Sequence, residues 1–139
     1  MLIICWSVKG GSGTTVVAAA LSLLLARSHP EGSVAVDLGT DLSAALGLPQ
    51  PSRPGLGDWI VADDAVGGDA LLMLAATAGS GVDLIGAGAP CDRVAPRWDL
   101  AATVLADADR PVVVDAGGVP PPPFLDRATH SLQIGRAHV

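Results

Sequence analysis

Short apolar runs alternate with longer apolar stretches of helical length in the first part of the chain. Residues 2–8 form an apolar run that ends before a cluster of glycines, which predicts a buried strand. Thr14–Ser28 is apolar on almost all sides and Pro30 follows it, so we predict a buried helix. Ser33–Asp37 is a second short apolar run that ends in a carboxylate, and we predict a second strand there.

The alternation continues through the rest of the chain. Further helices are predicted over residues 41–48, 56–63, 69–76 and 96–108, with a proline-bearing loop at 49–54. Further strands are predicted over Val82–Ile85 and 111–115. The prolines at 120–123 predict a stiff link, and 124–132 the start of another helix. Strands that alternate with helices predict an α/β fold, with helices on both faces of a mostly parallel sheet.

Composition and charge narrow the class of protein. The chain has 139 residues, half of them hydrophobic, which suits one domain whose sheet is covered on both faces. The net charge is −6 and no basic stripe is present, so this segment carries no signal for nucleic-acid binding. Cys5 and Cys91 lack metal-ligand spacing, and the longest apolar stretch, 16–26, is too short to span a bilayer. We therefore expect a cytoplasmic protein.

The codons that can encode the last residues indicate an unusual origin for this segment. Residues 134–139 can be encoded by ATC GGA AGA GCA CAC GTC, which resembles the start of a short-read sequencing adapter. We therefore predict a native domain over 1–132 and a non-native tail over 133–139. An ordinary polar tail is the alternative.

A glycine-rich segment joins the first predicted strand to the first predicted helix. It consists of Lys9, Gly10, Gly11, Ser12, Gly13, Thr14 and Thr15. Glycines let successive backbone N–H groups converge on one anion, and the helix adds its positive end. We expect all seven residues to bind a nucleotide's phosphates, with the Thr15 hydroxyl directed to Mg²⁺. Any glycine-rich turn gives part of this pattern. A dinucleotide fingerprint fits less well, because Val16 stands where its third small residue belongs.

This segment resembles the deviant Walker A motif of the ParA/MinD family of P-loop NTPases, which reads KGGxGK followed by Thr or Ser. Lys9 matches the signature lysine, which in the family reaches a phosphate across a dimer interface and would act in catalysis. Thr14 stands where the family has the main Walker lysine. A hydroxyl cannot carry that positive charge, so the resemblance implies weakened nucleotide binding and little or no hydrolysis.

Two further segments match the family in the expected order. Asp37, followed by Leu38 and Gly39, resembles the family's Asp-x-Asp motif, but Gly39 replaces the second Asp, which helps to position the attacking water. Asp41 could compensate, although a role as the cap of the next helix is favoured. The strand that ends at Asp115 resembles Walker B. The resemblance thus assigns Thr15, Asp37 and Asp115 to Mg²⁺, directly or through water.

The resemblance extends from Met1 to about Val119 and implies the N-terminal part of a three-layer P-loop NTPase-like domain. It implies ATP or ADP with Mg²⁺, a homodimer, and protein partners in a positioning system for pili, septum sites or chromosomes. The degenerate loop is similar to pilus-localisation relatives of the TadZ/CpaE kind and to actinobacterial septum-site proteins. An active ATPase that uses Lys9 and a scaffold that binds no nucleotide are the alternatives. Association with membrane or DNA is left open.

Overall fold

The computed structural model describes residues 1–9, 13–50 and 54–135. Its strands are β1 (Leu2–Trp6), β2 (Ser33–Asp37), β3 (Ala76–Gly79), β4 (Val82–Ile85), β5 (Val112–Gly117) and β6 (His130–Gln133). Its helices are α1 (Thr14–Ser28), α2 (Leu42–Ala45), α3 (Leu56–Ile60), α4 (Asp69–Leu72), α5 (Arg97–Ala106) and α6 (Pro122–Arg127). None of these helices is long and apolar enough to cross a bilayer.

The described strands form one sheet in the order β3-β4-β2-β5-β1-β6. All neighbours are parallel except β3, which runs antiparallel to β4 at one edge. Because successive side chains of a strand point to opposite faces, Leu2 and Ile4 of β1 enter one core and Ile3 and Cys5 enter the other. The first core is covered by α3, α4, α5 and α6, and the second by α1 and α2. The predicted three-layer, mostly parallel α/β fold is therefore confirmed.

Several predicted elements have the bounds that the pattern indicates, namely α1, β2 and β4. The first strand is shorter than predicted, because its register with β5 shifts after Cys5 and pairing ends at Trp6. The helices α2, α3 and α5 lie inside their predicted ranges but are shorter. The helix α1 is less buried than predicted, since Val16 and Leu24 are 67% and 57% exposed on its outer face.

The predicted helix over 69–76 is wrong at its end. The helix α4 stops at Leu72, and Ala76–Gly79 forms the antiparallel edge strand β3. Three successive residues in the left-handed region, Gly79, Ser80 and Gly81, reverse the chain into β4. Two glycines adopt this conformation at little cost, so the turn favours a hairpin over a longer helix.

The predictions for 120–132 are also wrong in part. The stiff link is short because α6 begins at Pro122, where the missing N–H of proline costs little. The predicted helix over 124–132 ends at Arg127, and β6 follows as a parallel neighbour of β1. Thr129 starts this pairing: its N–H donates to Leu2 O at 2.7 Å and its hydroxyl accepts from Leu2 N at 3.0 Å. The edge of β1 that β5 leaves unpaired thus explains why His130–Gln133 forms a strand and not the end of a helix.

The proposed boundary between residues 132 and 133 stays a prediction. Gln133 lies in β6, and Ile134 N–H donates to Trp6 O at 2.7 Å. Residues 136–139, which carry most of the adapter-like sequence, lie outside the described part of the chain, as do 51–53 of the proline-bearing loop.

Candidate anion and magnesium site

The amino-terminal end of α1 has no side-chain cap. Gly13 precedes the helix with φ 86°, a left-handed conformation that favours glycine, and its C=O accepts from Val17 N at 3.0 Å. The N–H groups of Thr14, Thr15 and Val16 precede that first intrahelical bond, so the helix itself offers them no acceptor. The first turn also lacks an acidic residue. This end of α1 can therefore accept an anion.

A cavity of about 360 Å³ lies in front of this helix end. It brings together residues from all three sequence motifs, at the carboxyl ends of β2 and β5. Its lining residues are Gly13, Thr14, Thr15, Val16, Gly39, Thr40, Asp41, Asp115 and Gly117. The cavity combines the free end of a helix with hydroxyl and carboxylate oxygens, which suits an anion accompanied by a cation.

Thr15 and Asp115 meet directly across this cavity. The Thr15 hydroxyl donates to Asp115 Oδ2 at 2.7 Å, and Asp115 Oδ1 accepts from Gly117 N at 3.1 Å. Asp115 is buried near the carboxyl end of β5, and these two hydrogen bonds hold its carboxylate. A hydroxyl and a carboxylate are both hard oxygen ligands of the kind Mg²⁺ prefers. In the described residues no group of three or more His, Cys, Asp and Glu side chains could hold a metal, so any Mg²⁺ here needs oxygens from ligand or water.

Asp37 is buried beside Asp115, its register partner in the β2–β5 pair. Its Oδ1 accepts from Gly39 N at 2.8 Å and its Oδ2 from Leu42 N at 3.2 Å. Burial, together with the smaller effect of the negative charges of Asp115 and Asp41, raises the pKa of Asp37 from 3.8 to about 6, although these two hydrogen bonds lower it. Asp37 is not among the residues that line this cavity, and both of its oxygens accept from backbone N–H groups, so its contribution to a Mg²⁺ site stays a prediction.

The preferred role of Asp41 as a helix cap is not seen. Asp41 occupies the position before α2, but its side chain makes no capping hydrogen bond. Asp37 Oδ2 instead accepts from the first N–H of that helix, at Leu42. The carboxylate of Asp41 lines the cavity and accepts a long hydrogen bond from Thr40, at 3.4 Å.

Thr14 also lines the cavity, at the position where the motif that this segment resembles has a lysine. It is 2% exposed, and its hydroxyl has no hydrogen-bond partner among the residues described. Such a hydroxyl costs about 1–3 kcal/mol when it is buried unsatisfied. A ligand oxygen would remove that cost, although the hydroxyl supplies no positive charge.

The fold has a close counterpart among solved structures. It is similar to the crystal structure of a ParA family ATPase from Chlorobium tepidum TLS, with a TM-score of 0.74 and 20% sequence identity. The alignment covers 95% of this chain and 59% of that protein, so this chain spans less than two thirds of its length. The chain has a ParA-like fold. A scan against protein-family models and a search of curated proteins gave no match.

The remaining residues of the predicted phosphate loop, residues 9–12, come before the described residues that line the cavity. Lys9 is exposed and follows β1 after Ser7 and Val8. Gly10, Gly11 and Ser12 lie outside the described ranges, so their contacts with phosphate stay predictions.

Sequence reasoning did not single out Arg93, which lies in the segment after β4. Its Nη1 donates to Val119 O and its Nη2 to Ala116 O, both at 3.3 Å, so the side chain contacts the segment that follows Asp115. It lines a second cavity of about 300 Å³, which also includes Asp37 and Thr40. The only sequence signal was its place shortly after the small-residue run at 86–89, at a strand's carboxyl end.

Proposed function

We propose that this chain is a nucleotide-binding protein of the ParA/MinD type that hydrolyses ATP slowly or not at all. The observation that carries the proposal is the uncapped start of α1, with the hydrogen-bonded pair Thr15 and Asp115 at its mouth. This arrangement offers N–H donors to phosphate and hard oxygens to Mg²⁺ in one cavity.

The chain's residues would bind the nucleotide in the following way. The N–H groups of Thr14, Thr15 and Val16 donate to phosphate oxygens at the end of α1. Thr15, Asp115 and Asp37 would hold Mg²⁺, the last directly or through water. When bound, Mg²⁺ supplies positive charge to the phosphates. That charge matters more than usual here, because Thr14 brings none and the surrounding carboxylates are negative.

Slow hydrolysis follows from the two residues that differ from the family's motifs, Thr14 and Gly39. Phosphoryl transfer depends mainly on charge stabilisation and on the position of the attacking water. Thr14 cannot neutralise developing charge, and Gly39 has no side chain that could orient water. Two such losses lower turnover without removing the N–H donors of α1. The chain would therefore bind nucleotide without hydrolysing it efficiently.

The biological role belongs to the same proposal. We infer a cytoplasmic homodimer with protein partners that positions pilus machinery, septum sites or chromosomes, as the resemblance to the TadZ/CpaE kind and to actinobacterial septum-site proteins implies. A second candidate is an active ATPase in which Lys9 replaces the missing charge. The exposure of Lys9 favours that candidate, because the side chain is free to reach a nucleotide bound by a second copy.

The test is isothermal titration calorimetry of the chain with ATP and ADP, each with and without Mg²⁺, beside a phosphate-release assay. Binding that requires Mg²⁺, with no turnover above a no-enzyme control, supports the proposal. Turnover that is lost in Lys9→Ala supports the second candidate. Absence of binding in the wild-type chain refutes both and leaves a scaffold that retains the fold.

A gain-of-function variant sharpens this test. Thr14→Lys restores the point charge of the family motif at a position that lines the cavity. If the end of α1 binds phosphate, nucleotide affinity rises, by about tenfold or more for a charge-assisted contact. The conservative variant Thr14→Ser is the matched control and leaves the affinity nearly unchanged.

A further inference from the structure

A crevice opens at the carboxyl edge of the sheet between β2 and β4. These strands are parallel neighbours, but the chain leaves β2 towards α2 on one face and, after β4, reaches α5 on the other. Connections that diverge in this way leave a crevice in which α/β proteins commonly bind ligands. The cavity that contains Arg93 lies here, beside the anion cavity.

The guanidinium of Arg93 is a positive charge without a carboxylate partner. It donates hydrogen bonds to the carbonyl oxygens of Val119 and Ala116, and no carboxylate in the described ranges lies within 4.0 Å of it. Arg110, by comparison, is paired with Asp83 at 2.7 Å. Backbone carbonyls orient a guanidinium but do not neutralise it, so Arg93 retains both charge and free N–H donors for an anion.

The loop that carries Arg93 is held firmly against the start of α3. Leu56 N donates to Gly86 O and Gly57 N to Ala87 O, each at 2.8 Å. Asp58 Oδ2 accepts from Ala89 N at 3.2 Å, which fixes the next part of the loop. These bonds fix the loop as far as Ala89, and the two carbonyl oxygens orient the guanidinium of Arg93, so less entropy is lost when the side chain binds a ligand.

The two cavities share a wall. Gly39 and Thr40 line both of them, and Ala116, which accepts from Arg93, follows Asp115 directly in the chain. We propose that Arg93 supplies, from the crevice side, the positive charge for the terminal phosphate of the nucleotide that Thr14 does not supply. The inference rests on the proposed nucleotide binding and adds a binding residue that the motifs do not contain.

Calorimetry with MgATP and MgADP tests this role. Arg93→Gln keeps a polar side chain but removes the charge and shortens the donor, and we expect MgATP affinity to fall about 10- to 100-fold, as for loss of a charge-assisted hydrogen bond. MgADP affinity falls less, because it lacks the terminal phosphate. Arg93→Lys retains part of the affinity. Arg27→Ala, which removes an exposed charge at the far end of α1, is the control and changes affinity less than twofold.

A double-mutant cycle separates charge replacement from a structural effect. If Arg93 substitutes for the lost lysine, Thr14→Lys restores MgATP affinity to Arg93→Gln, and the loss caused by Arg93→Gln shrinks in the Thr14→Lys background. Thermal unfolding of each variant shows whether the loop is intact. Equal MgATP affinity of wild type and Arg93→Gln overturns the inference and leaves the proposed function standing. Absence of nucleotide binding in the wild type overturns both.

Discussion

Replacing Asp37 by asparagine probes the most costly charge in the site. The carboxylate is 3% exposed, next to Asp115 in register, and the two hydrogen bonds from Gly39 and Leu42 only partly offset its burial. Asparagine has nearly the same shape and stays neutral at every pH. The variant therefore removes the cost of ionising Asp37 and retains an oxygen that can accept one of the two backbone N–H groups.

The size of the effect follows from the two pKa values of Asp37. The carboxyl titrates near 3.8 in the unfolded chain and at about 6 in the folded chain. Because the folded chain holds this proton more tightly, the associated stability is fully present below about pH 3.8 and is lost as the pH rises through about 6. The full loss is roughly 3 kcal/mol at 1.36 kcal/mol per pH unit, of which about 2 kcal/mol falls between about pH 4.5 and pH 7.5.

The assay is urea unfolding of wild type and Asp37→Asn at those two pH values, without Mg²⁺. We expect the free energy of unfolding of Asp37→Asn, relative to wild type, to increase by about 2 kcal/mol from the lower to the higher pH. Asp109→Asn, which removes an exposed carboxylate, gives the background change. A difference between wild type and Asp37→Asn that is the same at both pH values would refute the argument that burial governs this carboxyl.

Three further substitutions test the core, the crevice wall and the proposed cation site. Phe124→Ala empties a fully buried position and should lower the free energy of unfolding by about 3–5 kcal/mol in urea; a loss below 1 kcal/mol would contradict its place in the core. In Gly57→Ala the added Cβ would overlap Ala89 O, so we expect a loss of at least about 1–3 kcal/mol by the same measurement, whereas an unchanged value would mean that the wall can move. Thr15→Val removes the hydroxyl that contacts Asp115, and calorimetry should show that Mg²⁺ no longer improves ATP binding, while Thr15→Ser behaves as wild type.

The elements that the sequence predicts correctly are those whose own residues show the apolar pattern of a buried strand or helix. The strands β2 and β4 are short β-branched or apolar runs bounded by turn residues, and α1 is a long apolar stretch after glycines. The edge strand β6 is different, since all four of its residues are exposed and show no alternation. Its conformation depends on the free edge of β1, which lies far away in the chain, so no local pattern could predict it.

The residues of the candidate site also divide into those that the sequence predicts and one that it does not. The motif order gave Thr15 and Asp115, 100 residues apart, and the structure joins them by a hydrogen bond of 2.7 Å. Arg93 could not be predicted, because its contact with Ala116 requires the order β4-β2-β5, in which the segment after β4 reaches across the end of β2. The order of the elements along the chain does not show that these three strands are neighbours in the sheet.

The substitution at position 14 also has a consequence for the chain without nucleotide. An unpaired ammonium at a site as buried as Thr14 would cost roughly several kcal/mol unless phosphate or a carboxylate paired with it. The unsatisfied threonine hydroxyl costs about 1–3 kcal/mol. Threonine is therefore the less costly residue wherever neither Asp115 nor Asp41, which line the same cavity, pairs with the ammonium, and lysine is the better one when phosphate binds. A chain with Thr14 therefore depends less on nucleotide for its folded state than a chain with an unpaired lysine at this position would.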